Sequence, residues 1–142
     1  MIYLDTGCLL KLYYPEPESE RVAKLVSGEA IALVALHELE FANALELKVF
    51  RKEATRAQVR ATSELLEADA RAGIFHRPAL SWADVLQEAT AMARAHTRTF
   101  GCRSLDILHC AAARSLSAES FITTDVRQRR LANKVGLSCP SL

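Results

Sequence analysis

The sequence predicts an α/β fold: a mostly parallel sheet of about five strands covered by helices on both faces. The first reason is that short apolar runs alternate with longer helical stretches along the chain. The second is that the leading run, Ile2-Tyr3-Leu4, has no polar alternation, as suits a strand buried on both faces. The third is that an acid follows the first and fourth runs, Asp5 and Asp125, at the carboxyl edge where open α/β sheets bind ligands.

In chain order, Ile2–Leu4 is the first strand, and residues 8–14 form a short helix stopped by Pro15 and Pro17. Residues 18–27 form a second helix, with Val22, Leu25 and Val26 on one side and Gly28 as its stop. Residues 30–34 are the second strand. Residues 36–52 read as a helix whose stripe Leu36, Leu39, Glu40, Asn43, Leu47 and Phe50 recurs at steps of three and four. Glu40 and Asn43 are then polar groups on an inward face, which requires a reason. Thr55 with Gln58 fits a capping box, opening a helix that ends at Gly73. Its outer face, Arg56, Arg60, Glu64, Glu67 and Arg71, reads as solvated. Residues 74–76 are a third strand, and Ser81 opens a helix to about Thr99. Ser104 reads as the N-cap of an alanine-rich helix over residues 105–116. Residues 120–123 are the fourth strand, Val126–Lys134 a basic helix ended by Gly136, and residues 137–139 a last edge strand.

The 142 residues carry no linker, repeat or low-complexity stretch, so a single domain over residues 1–142 is expected. Half the residues are apolar and the net charge is +1, so any nucleic-acid binding must come from a local patch. No run approaches the ~20 apolar residues of a membrane span, and the N-terminus lacks a signal-peptide layout. The four cysteines form no CxxC pair, which suits reduced thiols in a cytoplasmic protein with no membrane partner.

Asp5, Glu40, Asp106 and Asp125 are the candidate site. Each has a bland alternative: Asp5 and Asp125 suit helix N-caps, Asp106 suits a helix first turn, and Glu40 suits a surface-grazing position. Together they would line one pocket at the same sheet edge. Two unit charges about 4 Å apart repel by about 1 kcal/mol in water and about 4 at an effective dielectric of 20. Such a pocket therefore needs protons or a cation. Oxygen ligands without paired His or Cys point to Mg²⁺ or Mn²⁺. That chemistry suits metal-assisted phosphodiester cleavage, with the hydroxyls of Thr6, Ser104 and Thr123 orienting water or phosphate. His109 follows Asp106 by three residues and reads more simply as a packing histidine. His37, His76 and His96 share no spacing and receive no role, and Trp82 reads as a packing residue.

Ile2-Tyr3-Leu4-Asp5-Thr6, Glu38-Leu39-Glu40-Phe41-Ala42-Asn43-Ala44-Leu45, the run from Ser104 to Ala113, and Phe121-Ile122-Thr123-Thr124-Asp125 resemble, in order, the four motif blocks of the PIN domain. The likeness is to the VapC toxins in particular and spans essentially the whole chain. The resemblance implies a three-layer α/β/α sandwich and an Mg²⁺- or Mn²⁺-dependent endoribonuclease. It also implies a homodimer and a VapB-like antitoxin. By the family pattern Asp5, Glu40, Asp106 and Asp125 form the acidic quartet and Thr123 the supporting hydroxyl. Glu38 is the rival for the second position. Gly7 departs from the pattern, where a serine often stands. From Arg94 to Lys134 the chain has eight Lys/Arg against three acids, and Arg103, Arg127, Arg129 and Arg130 are the candidate phosphate contacts. The alternatives are a non-catalytic PIN-like interaction module that keeps the acidic pocket and, further off, a phosphoacceptor receiver domain. The latter lacks an acceptor Asp after the central strand.

Overall fold

The computed structural model describes residues 1–141. The elements are β1 (Ile2–Leu4), α1 (Thr6–Lys11), α2 (Ser19–Val26), β2 (Ile31–Ala32), α3 (Ala35–Phe50), α4 (Arg56–Arg71), β3 (Phe75–His76), α5 (Trp82–Phe100), α6 (Ser104–Ser115), β4 (Ser120–Ile122) and α7 (Val126–Lys134). The sheet order is β3-β2-β1-β4, with every pairing parallel. The chain steps outward from β1 to β3, then returns to lay β4 on the other side of β1. The switch point therefore lies between β1 and β4.

Successive residues of these strands point to opposite faces. Tyr3 and Phe121 enter one core with residues of α5, α6 and α7, among them Val85, Met92, Ile107 and Leu131. Ile2, Leu4 and Ile122 enter the other with Leu9, Val22, Phe41, Val59 and Leu66 of α1–α4. This is the three-layer arrangement of helices on both faces. Tyr3 sits opposite Phe121 in the β1–β4 register, and their rings stack with centroids 5.8 Å apart. Such pairs contribute about 0.5–1.5 kcal/mol beyond their area burial.

Residues 137–139 are not a strand, so the sheet has four strands among the described residues. Phe121 N–H does donate to the Ser138 carbonyl at 2.8 Å. The Leu137 N–H, however, is spent on the Ala132 carbonyl at the end of α7, where Gly136 turns at φ +89°. This is a Schellman closure, and Pro140 has no N–H to continue a ladder. The stripe on α3 is also misphased. Leu39 is 66% exposed and Phe50 83%, while the buried face is Leu36, His37, Phe41 and Leu45. A fully buried histidine in that face stands where an apolar count expects a hydrophobe. Asn43 is exposed and needs no inward partner.

Other elements agree with the sequence reading to within a few residues. The first helix ends at Lys11, with residues 12–14 as turns. Thr55 and Gln58 form the reciprocal capping box. Ser104 is the first residue of α6, not its cap. Arg103 holds the cap position, and its backbone N–H donates to the Asp106 carboxylate at 3.0 Å. The α4 outer face is exposed as expected, and Trp82 packs against the α5–α7 core. No helix among the described residues is long and apolar enough to cross a membrane.

Candidate active site

The β1–β4 register extends past the strands. Leu4 pairs with Ile122, and Asp5 N–H donates to the Ile122 carbonyl at 2.9 Å, which brings Asp5 beside Thr123. Asp5 is 8% exposed. Its Oδ1 accepts from Cys8 N–H at 2.6 Å, capping α1, and its Oδ2 accepts from the Thr123 hydroxyl at 2.5 Å. Burial pushes the Asp5 carboxyl above its ordinary range, although the hydrogen bonds from Thr123 and Cys8 pull the other way. Thr123 in turn accepts from Asp125 N–H at 3.0 Å. Asp125 caps α7, accepting from the N–H groups of Arg127 at 2.7 Å and Gln128 at 3.0 Å.

Glu40 reaches the same edge from α3. The Thr6 hydroxyl donates to its Oε2 at 2.8 Å, and His109 Nε2 pairs with the same oxygen. Burial raises the Glu40 carboxyl, but the His109 and Thr6 contacts outweigh it and hold the group below the usual range. Glu38, the rival, is instead exposed and paired with Arg77 at 2.8 Å.

Asp106 joins less directly. The buried Gln128 donates from Nε2 to the Asp106 carbonyl at 3.1 Å, linking α6 to α7. The Asp106 carboxylate turns back to cap its own helix and meets the exposed Arg103 side chain at 3.3 Å. Hydrogen bonds therefore join Glu40 to Thr6, and Asp5 through Thr123, Asp125 and Gln128 to the Asp106 backbone; the Asp5–Thr6 peptide bond connects the two sets. Ser104 is outside this path. It is exposed and lines the groove between α5 and α6 with Leu86, Leu105 and Leu108.

Of the basic candidates, Arg103, Arg127 and Arg130 are exposed. Arg129 folds inward: its Nη2 donates to the Thr123 carbonyl at 2.9 Å, and its buried Nε has no partner. It braces the β4–α7 turn.

Two histidines complete the site, and the sequence reading missed what they do. His109 is 2% exposed, and its Nδ1 lies 2.9 Å from the Tyr3 hydroxyl. Its Nε2 lies 3.0 Å from Thr6 Oγ1 as well as against Glu40. It is buried and satisfied, as a packing histidine would be, but by site residues. His37 Nδ1 accepts from Val34 N–H at 3.1 Å, so its Nε2–H donates to the Leu4 carbonyl at 2.8 Å. Burial, then the neighbouring His109, lowers the His37 pKa to about 3. His37 thus ties the end of β1 to the start of α3. The available signal was a polar residue within an otherwise buried helical face.

The donor set suits a hard divalent cation. Thr6, Thr123 and four carboxylates offer oxygen, and Asp106, Asp125 and Glu40 each bond through one carboxylate oxygen only. No three Asp, Glu, His or Cys side chains among the described residues converge closely enough to hold an ion between them. Mg²⁺ asks less than that, since it commonly takes one or two carboxylates directly and keeps several waters. The cysteines are free, and burial pushes their thiols up, which disfavours the thiolate that a soft metal needs.

The PIN domain family model matches residues 2–134. Three solved structures share the fold. FitAcB from Neisseria gonorrhoeae is 20% identical, with TM-score 0.69 and 99% of this chain and 97% of that chain covered. VapBC2 from Rickettsia felis, bound to a DNA fragment from its promoter, is 16% identical, with TM-score 0.63 and coverage of 99% and 98%. VapBC-1 from nontypeable Haemophilus influenzae is 19% identical, with TM-score 0.62 and the same coverage. No match was found among curated proteins. A family model that spans residues 2–134, on a parallel sheet whose switch point lies between β1 and β4, places this protein in the PIN-domain family.

Proposed function

We propose that the chain, acting as one domain over residues 1–142, is a divalent-metal-dependent endoribonuclease and the toxin of a toxin–antitoxin pair. The observation that carries this reading is the placing of Glu40, through its hydrogen bond from Thr6, next to Asp5, which Thr123 joins to Asp125 at the β1–β4 switch point. PIN domains are generally nucleases, and the fold likeness to two VapBC complexes and FitAcB supports a VapB-like antitoxin as partner. The family also supports a homodimer in the cytoplasm.

In this reading Asp5, Glu40, Asp106 and Asp125 hold Mg²⁺ or Mn²⁺, directly or through water. A divalent ion held there would supply Lewis-acid charge beside the phosphate and activate water for hydrolysis. Thr123 fixes the Asp5 carboxylate and Thr6 fixes that of Glu40, so both acids keep their orientation while phosphate approaches. Arg103, Arg127 and Arg130 contact phosphates of the RNA from the exposed rim, and Arg129 contributes by holding the turn that carries Asp125.

The test is cleavage of RNA by the purified protein with Mg²⁺ or Mn²⁺. Loss of a metal-binding acid removes several kcal/mol of transition-state stabilisation, so Asp5→Asn and Asp106→Asn should each cut the rate by about a hundredfold or more. Undiminished cleavage by both would sink the assignment. The turned-back Asp106 carboxylate favours a second reading, a non-catalytic module that retains the pocket. Metal-dependent thermal stabilisation without cleavage of diverse RNAs would select it.

A further inference from the structure

Tyr3, His109 and Glu40 come from β1, α6 and α3 and meet in one hydrogen-bonded line. Tyr3 is fully buried and His109 nearly so. A buried phenol must place its proton, and the acceptor beside it is His109 Nδ1 at 2.9 Å. With Nδ1 accepting, Nε2 carries the ring proton and points it at Glu40 Oε2 and Thr6 Oγ1. The Thr6 hydroxyl donates to the same Oε2. Two donors therefore fix one oxygen of Glu40, and Oε1 makes no hydrogen bond among the described residues. An acid held by one oxygen has the other available for a cation.

We propose that His109 is a positioning residue: backed by Tyr3, it holds Oε2 of Glu40 so that Oε1 is presented to the divalent ion. This rests on the metal-dependent reading above, and it adds a residue outside the acidic quartet. His109 need not touch ion or substrate. It acts through Glu40, and Tyr3 acts through His109 by fixing which ring nitrogen donates. The imidazole is packed 5.2 Å from the His37 ring and 5.6 Å from Tyr3, centroid to centroid, so its orientation is set by its neighbours.

The experiment is Mn²⁺ binding by calorimetry on the full chain, with thermal unfolding to establish that each variant is folded. His109→Leu should weaken Mn²⁺ binding roughly tenfold, within the range seen when outer partners of metal-holding groups are removed. His109→Gln, whose amide N–H reaches the same oxygen, should restore most of that loss. His109→Leu in a Glu40→Gln background should cost nothing further, because the two act as one unit. Should His109→Leu fail to fold, Tyr3→Phe takes its place, with a loss of two- to threefold expected. Wild-type-like Mn²⁺ binding by the folded variant, or losses from positions 109 and 40 that add, would overturn the positioning role alone. A folded wild type that binds no Mn²⁺ would overturn the metal-dependent reading, and the positioning role with it.

Discussion

Burial pushes the carboxyls of Asp5 and Glu40 the same way, upward, but the net shifts are opposite. Asp5 is held above its ordinary carboxyl range by burial, so the folded chain binds that proton more tightly than the unfolded chain. Stability therefore falls as pH rises from the ordinary Asp value through the folded one, and stays reduced at neutral pH. Glu40 is held below its range because the His109 and Thr6 contacts outweigh burial. Its contribution is present above the ordinary Glu value and is lost as acid protonates it. Without metal at neutral pH, Asp5→Asn should raise the melting temperature and Glu40→Gln should lower it. Added Mn²⁺ should stabilise the wild type and leave Asp5→Asn unmoved. Thermal unfolding with and without the ion measures all of these. Both acids were legible in the sequence, but their environments were not, because those depend on Thr123 and His109, far away along the chain.

Helix starts explain why the acids stand where they do. Asp5 begins α1, Asp106 closes the first turn of α6 onto Arg103, and Asp125 begins α7. Asp125→Ala should cost about 1 kcal/mol, the usual price of a lost N-cap, while Asp125→Asn should cost a few tenths. Urea unfolding monitored by far-UV circular dichroism would read the difference. Caps are local, so the sequence revealed most helix starts to within a residue or two. The α3 stripe failed for the opposite reason. Leu39 and Phe50 fit a period of three and four as well as Phe41 and Leu45 do, and only the sheet decides which set faces inward. Glu40 was thus identified from a face that is not the buried one. It reaches the site because α3 starts against β1, with His37 bonded to the Leu4 carbonyl.

That His37 contact reaches the stability of the whole molecule. Its pKa is lowered by burial from 6.5 to about 3, so between those values the unfolded chain binds a proton that the folded chain does not. Stability rises with pH across that window and is fully present above 6.5. One proton corresponds to at most about 1.4 kcal/mol per pH unit. Between pH 5 and 6.5, where ordinary carboxylates have mostly finished titrating, the wild type should lose stability on acidification. His37→Gln, whose amide has no titrating proton, should give a flatter profile; denaturant unfolding at several pH values tests this. The parallel sheet and its two helical layers were readable from the alternation of apolar runs. The missing fifth strand was not, because the Leu137 N–H had two possible partners and the end of α7 took it.

The carboxylates that begin α1 and α7 are also members of the candidate site. Asparagine keeps one acceptor for the helix start and discards the charge. On the function proposed above, a sequence built this way admits an inert twin of almost unchanged shape, one that would lose cleavage and still engage the proposed antitoxin.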